Sequence, residues 1–330
     1  MVKPSTDADP NGAAAASESL DVVTLGEAMA LLIAEQPGPL EAVTSFVKRT
    51  AGAETNVAIG LARLGLRVGW ASRLGRDAWG CYLRAEFERE GIDCSHVDWD
   101  EQARTGMMLK EHVLDGRDAR TEYFRKGSAA SLLAPADLDT SWLTSTRHMH
   151  ATGVFAAVAA NTDAAVAHAM QAMRAAGRTV SFDTNLRPSL WPSREHMVER
   201  VNALAALAHW VLPGVDEGRV LCGSDDARTI ASFYLQRGAR IVVVKLGAQG
   251  AWWEGADGTS GHVPAHPVAR VVDTVGAGDA FAAGFVSAML SGRPVPEAVQ
   301  RAAWMGARAV QVRGDTEGLP TAVELAAAGF

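Results

Sequence analysis

The stretch VVDTVGAGDAFAAGFVSAMLSG, from Val271 to Gly292, decides how the rest of the chain is read. Its valines suggest the end of a strand, a glycine-rich turn follows, and a small-residue helix starts near Asp279. Gly276, Ala277 and Gly278 carry no bulky side chains. Their backbone N–H groups can therefore approach an anion closely at the positive end of the helix. A carboxylate beside a bound anion is electrostatically unfavourable, so Asp279 needs a chemical role. Accepting a hydroxyl proton while backbone amides stabilise a transferring phosphoryl group is such a role. Taken alone, the tetrapeptide GAGD reads as a tight strand-to-helix turn with Asp279 as its N-cap, and only the longer stretch favours the chemical role.

Outward from this stretch, apolar runs alternate with helical patterns. RVGWASRLG precedes CYLRAEFEREG, HMHATGVFAA precedes NTDAAVAHAMQAMRAAG, and TVSFDTNLR, HWVLPG and ARIVVVKLGAQGAWW follow. Near-continuous apolar runs such as VVTLG and IVVVKLG are those of strands covered on both faces, so the alternation predicts βαβ units and a mostly parallel α/β sheet. One section breaks the rhythm. Thr105 to Ser128 reads as two strands around the turn signal Asp115-Gly116. With the strand-like ALLIAE at Ala30 to Glu35, this hairpin predicts a small separate sheet, placed as a lid over a cleft.

Composition narrows the function classes. The 330 residues are 48% hydrophobic and 21% charged, a globular balance that excludes collagen, coiled coil and general disorder. A net charge of -7 has the wrong sign for wrapping a phosphate backbone, so nucleic acid is not an expected partner. Cys81, Cys94 and Cys222 form no CxxC pair, which fits a reduced cytoplasmic setting without a disulfide framework. The first 19 residues, rich in Ala, Ser, Pro and Asp, read as a disordered leader and lack a secretory pattern. The longest apolar stretches, such as ATGVFAAVAA from Ala151, fall short of the roughly 18 residues of a membrane span.

The longer match DTVGAGDAFAAGF resembles the C-terminal signature of the ribokinase or PfkB family of sugar and nucleoside kinases. AGAETNVAIGLARLG, from Ala51 to Gly65, is similar to the family's N-terminal signature. The resemblance runs from about Asp21 to about Leu325. It implies a three-layer α/β/α fold with a mostly parallel sheet over residues 20–330, and a lid built from about 30–50 and 97–127. It implies ATP and Mg2+ as cofactors, Asp279 as general base and Gly276 to Gly278 as the anion loop. Gly52 and Asn56 would bind sugar hydroxyls, and Lys245, Gly247 and Gly250 would contact the nucleotide. Asp183 and Asn185 would lie between acceptor and nucleotide. Glu217, in LPGVDEG, would help organise Mg2+ through water; the family's Asn three residues earlier is Gly214 here. No lysine among the five is followed by Ser or Thr and no GxGxxG opens a helix after a strand, so the rival nucleotide motifs are absent.

TEYFRKGSAAS, from Thr121, and FDTNLRPSLW, from Phe182, resemble segments of the 2-keto-3-deoxygluconate kinases within this family. That resemblance implies that Tyr123, Arg125 and Arg187 contact the substrate and that Asp315 reaches a hydroxyl. A planar guanidinium engages a carboxylate through two hydrogen bonds, so a small-molecule sugar acid is the expected acceptor. A neutral-sugar kinase and a non-catalytic sugar-acid sensor are the alternatives. Met108 stands where the subgroup often has a tyrosine, and Ala303 where an Asn lies near adenine; the epimer preferred is left open. A homodimer through the lid is expected from its exposed edges. His148 and His150, facing alike on a strand, are a conceivable metal pair without an evident third ligand.

Overall fold

The computed structural model describes residues 19–113 and 119–330, so the leader lies almost wholly outside the described residues, and so does the turn at Asp115-Gly116. The described strands are β1 (Val22–Leu25), β2 (Met29–Pro37), β3 (Phe46–Ala51), β4 (Val68–Gly75), β5 (Val97–Asp100), β6 (Met107–His112), β7 (Thr121–Phe124), β8 (His148–Thr152), β9 (Thr179–Asp183), β10 (Trp210–Val211), β11 (Ile241–Lys245), β12 (Ala251–Gly255) and β13 (Ser260–Val263). Nine of them form one sheet in the order β13-β12-β11-β10-β9-β8-β1-β4-β5. All its pairs are parallel except β11 with β12 and β12 with β13.

Alternation along the strands explains the layers. Val22 packs into one buried cluster and Val23 into the other; likewise Val243 faces one way and Val242 and Val244 the other. Successive side chains point to opposite faces of a sheet, so an uninterrupted apolar run supplies both cores at once. The first cluster holds the helices Ala53–Arg63, Ala277–Leu290 and Val295–Ala309, the second the helices Ala160–Ala175, Arg194–Ala205 and Ala227–Leu235. The expected three-layer α/β/α fold is what the chain adopts.

The helix Ala277–Leu290 is buried through nearly its whole length. Its small residues let neighbours approach closely: a Cβ on Gly284 would stand 2.8 Å from Ala302 Cα, and one on Gly60 the same distance from Ala283 Cβ. A second sheet, in the order β3-β2-β6-β7, carries its own apolar cluster of Met29, Leu31, Ala51 and Met108. Val97–Asp100, expected in that sheet, instead pairs with β4 at the edge of the large one, where Val97 is buried.

The decisive stretch itself needs two corrections. Residues 264–275 form no strand, and Val271 is 55% exposed. Its helix also begins at Ala277, two residues earlier than expected.

Candidate active site

Parallel strands end in side chains that gather on one rim of the sheet. The segment after β1 presents Glu27, and β8, β9 and β11 end in Thr152, Asp183 and Lys245. Open α/β sheets bind ligands at this carboxyl edge, where strand order reverses. Here a cleft of about 1020 Å³ opens between that rim and the small sheet. Gly52, Asn56, Tyr123, Arg125, Asp183, Asn185, Arg187, Glu217, Lys245, Gly247, Gly276, Gly278, Asp279 and Asp315 all line it. Ala277 and Gly250 instead line an adjoining, mostly apolar pocket of about 460 Å³, which shares Lys245, Gly247, Thr274 and Gly278 with the cleft.

Asp279 stands in the first turn of its buried helix, directly after the turn Gly276 to Gly278. Gly276 takes φ +78°, and a Cβ there would stand 2.5 Å from the carbonyl oxygen of Asp315, so only glycine fits. First-turn N–H groups have no intrahelical acceptor, and Gly276 and Gly278 line the cleft, so this turn is able to receive an anion there. Asn56 Nδ2 donates to Asp279 Oδ2 at 2.8 Å and to Asp315 Oδ2 at 3.4 Å. Burial, with Asp183, Asp315 and Glu54 nearby, raises the Asp279 carboxyl to about 7. Burial likewise raises Asp315 to about 6, despite the opposing Lys110 charge. Asn56 Oδ1 and Asp315 Oδ1 are buried without a hydrogen-bond partner, so each can engage an incoming hydroxyl.

Beside the anion loop, Lys245 Nζ lies 2.7 and 2.6 Å from the two oxygens of Asp183. Burial opposes charge on Lys245, but the Asp183 carboxylate outweighs it and moves the ammonium upward. A Cβ on Gly278 would be 3.7 Å from that ammonium, which therefore sits against the loop. Asn185, at φ +34°, is the non-glycine residue with positive φ among those described, a strained conformation of the kind that collects at functional sites. Glu217 holds this turn: its Oε1 accepts from Leu186 N at 2.6 Å, and its Oε2 accepts from Thr184 Oγ1 and Gly214 N, both at 2.6 Å. Three of about four acceptor positions on the carboxylate are taken, so it has one left for a water and no open face for a metal.

The two expected arginines differ. Arg125 donates through Nε and Nη2 to Glu27 Oε2, whose other oxygen accepts from Ser128 Oγ at 2.5 Å. Among the described residues, Arg187 donates only to the neighbouring carbonyl of Leu186, so its guanidinium is available to the cleft. Sequence reasoning passed over Glu27, although its position just beyond a central strand was a signal. It also passed over Lys110, whose shared face with Met108 on β6 was a signal of burial. His148 Nε2 and His150 Nδ1 both share Ser181 Oγ at 2.8 Å, and no cluster that could hold a metal occurs among the described residues. Trp253 is buried in the core, and Trp252 lies under the Arg228 guanidinium.

A glycine-rich helix start facing a buried carboxylate, over a cleft joined to an apolar pocket, defines a phosphotransferase with an alcohol acceptor. The model of the pfkB family carbohydrate kinases matches residues 19–322, and the chain belongs to that family. Among curated relatives, the 2-dehydro-3-deoxygluconokinase of Bacillus subtilis (strain 168) is 46% identical over 310 residues, 93% of this chain and 94% of the relative. The crystal structure of a PfkB protein from Polaromonas sp. JS666 shares 57% identity at a TM-score of 0.87, covering 94% of this chain and all of that one. A candidate ribokinase II of E. coli, solved with ATP and Mg2+, shares 26% identity at a TM-score of 0.85, covering 93% of this chain and 98% of its own.

Proposed function

We propose that this kinase transfers the γ-phosphoryl group of ATP to the terminal primary hydroxyl of 2-keto-3-deoxygluconate. The observation that carries the reading is Asp279, raised to about 7 and held by Asn56 at the start of the anion loop. Its carboxylate takes the hydroxyl proton as the oxygen attacks the γ-phosphorus; the bond to the ADP oxygen breaks and ADP leaves. The Gly276 to Gly278 amides meet the charge on the transferring oxygens, and Lys245 lies beside them. The apolar pocket walled by Ala303, Ala307 and Val310 suits an adenine ring, with Gly250 at its edge.

ATP is proposed to arrive with Mg2+, which neutralises phosphate charge when bound; Glu217 meets it only through water. Asn56 and Asp315 hold acceptor hydroxyls, Gly52 lies at the cleft wall, and Tyr123 covers the sugar from the small sheet. Because Glu27 already neutralises Arg125, the substrate carboxylate falls to Arg187, while Arg125 shapes the pocket. Tyr123 and Phe124, 55% and 52% exposed on the edge strand β7, support a homodimer through the small sheets. The reaction is assigned to the cytoplasm, where ATP is supplied; among the described residues no helix is long and apolar enough to cross a membrane.

The test is ADP release with magnesium-ATP against 2-keto-3-deoxygluconate, 2-keto-3-deoxygalactonate, gluconate, fructose and ribose, for the wild type and Arg187→Met. Turnover confined to the keto-deoxy acids, with their KM raised in Arg187→Met, is expected. Turnover on fructose or ribose that Arg187→Met leaves unchanged would discard the acid reading, and silence on every acceptor would discard the kinase.

A further inference from the structure

Asp273, inside the decisive stretch, takes no part in the reaction above, and neither does the lysine that reaches it. Lys110 lies on β6 opposite Ile33 of β2 and Thr121 of β7, on the face it shares with the cleft-lining Met108. Its side chain is 7% exposed, and its Nζ lies 2.5 Å from Asp273 Oδ2. The other oxygen of Asp273 accepts from Val275 N at 3.1 Å, one residue before Gly276. Val272 N and Asp273 N both donate to Val310 O, at 2.7 and 3.3 Å.

Residues 264–275 have no strand partners, so the segment leading into the anion loop is held by these contacts, while the loop itself also leans on its buried helix and on Asp315. One contact comes from the other sheet. Buried ion pairs add little net stability, because desolvation offsets their attraction, and a role in fixing one geometry is their better-attested use. Lysine is also rarely buried without such a use.

We infer that Lys110 and Asp273 form a strap between the small sheet and the anion loop. The Gly276 to Gly278 amides are then aligned on the transferring phosphoryl group only when the small sheet is seated over the acceptor. Both are positioning residues, since neither touches the reacting atoms. The strap rests on the phosphotransfer reading, and it adds that closure over the sugar is mechanically coupled to assembly of the phosphoryl site.

The experiment compares Lys110→Met, Asp273→Asn and the double variant with wild type, using magnesium-ATP and 2-keto-3-deoxygluconate. Misplacing a reacting group by about 1 Å costs about a hundredfold, so kcat is expected to fall about 10- to 100-fold. Lys110 and Asp273 both act electrostatically on Asp315, so the KM for the sugar is allowed to shift, whereas no nucleotide contact is touched and the KM for ATP is expected to stay within about threefold of wild type. The double variant is expected to be no slower than the slower single one, the mark of a shared contact. Amide exchange at Val275 and Gly276, measured without nucleotide or sugar, is expected to quicken in Lys110→Met. Lys110→Ala is expected to regain turnover on added propylamine, which refills the vacated site with an ammonium.

Wild-type kcat in Lys110→Met overturns the strap, as does unchanged exchange at Val275 and Gly276. If Lys110→Met does not fold, Lys110→Arg decides: it keeps the charge, and a loss of turnover as deep as that of Asp273→Asn overturns the strap. A wild type silent on this acceptor, with exchange at Val275 still quickened by Lys110→Met, would reject the acceptor and keep the strap.

Discussion

Replacing Asp279, the proposed general base, should make the folded protein more stable while removing its activity. Burial and the charges of Asp183, Asp315 and Glu54 move the Asp279 carboxyl from 3.8 to about 7. A group with a raised folded-state pKa holds its proton more tightly in the native state than in the unfolded chain. Stability therefore falls as pH rises between about 4 and 7, and above that window the native state bears the full cost of the charge. At about 1.4 kcal/mol for each tenfold change in proton affinity, the cost is about 4 kcal/mol at most. In Asp279→Asn that cost disappears. An amide, however, offers one acceptor where the carboxylate met Asn56 and Asn185, and the mismatched contact loses about 1 to 2 kcal/mol. The net gain is about 2 kcal/mol at pH 8, or roughly 3 °C in Tm for a chain of this length. At pH 5 the native carboxyl is already protonated, so the gain shrinks towards zero or reverses. Thermal unfolding of both proteins at pH 5 and pH 8, beside the ADP-release assay, reads both sides of the argument. Turnover should drop about 10²- to 10⁴-fold. A variant less stable than wild type at pH 8, or a gain that ignores pH, would refute the account of a buried, uncompensated charge.

Three further outcomes follow from the same geometry. The kcat/KM of the wild type should rise as pH climbs towards about 7, where Asp279 loses its proton, and then level; a profile flat down to pH 5 would remove Asp279 as the base. Gly276→Ala forces a side chain into φ +78° and towards the Asp315 carbonyl, so it should lose about 2 kcal/mol in denaturant unfolding along with most turnover; unchanged stability would mean the loop can move off Asp315. Glu217→Gln turns one of two accepting oxygens into a donor facing Thr184, Gly214 or Leu186, and should lose about 1 to 3 kcal/mol and raise KM for ATP, measured by denaturant unfolding and initial rates.

What the sequence carried was local, and what it hid was paired at a distance. The apolar runs at Val22 and Val242 announced doubly covered strands because alternate residues must satisfy two cores. The turn at Gly276 announced an anion edge because its backbone chemistry lies in four consecutive residues. Val271 and Val272 misled for a physical reason: both are exposed, and Val271 lines the apolar pocket, so neither belongs to a buried strand. The neutralisation of Arg125 by Glu27, 98 residues away, and the threefold use of Glu217 are consequences of folding that no local pattern records.

The cleft combines a cluster of carboxylates with the task of receiving an anionic nucleotide, and the pairing of charges resolves that conflict. Asp183 is matched by Lys245, Glu27 by Arg125 and Asp273 by Lys110, each pair within hydrogen-bond reach. These carboxylates are acceptors already spent on fixing a turn, an arginine and a loop. Among the described residues, Asp279 accepts from the neutral amides of Asn56 and Asn185 and Asp315 from that of Asn56, neither is in an ion pair, and both are raised far above an ordinary aspartate. Buried Glu54 is also raised to about 7 among the described residues, but Thr152 Oγ1 donates to it, whereas Asp279 and Asp315 line the cleft and face the same Asn56 amide. The division follows from which partner each strand end presents: a lysine or arginine makes a carboxylate structural, whereas an asparagine leaves it chemically available. Substrate binding would raise Asp279 further by excluding water, until the attacking hydroxyl supplies the proton that the buried carboxylate favours.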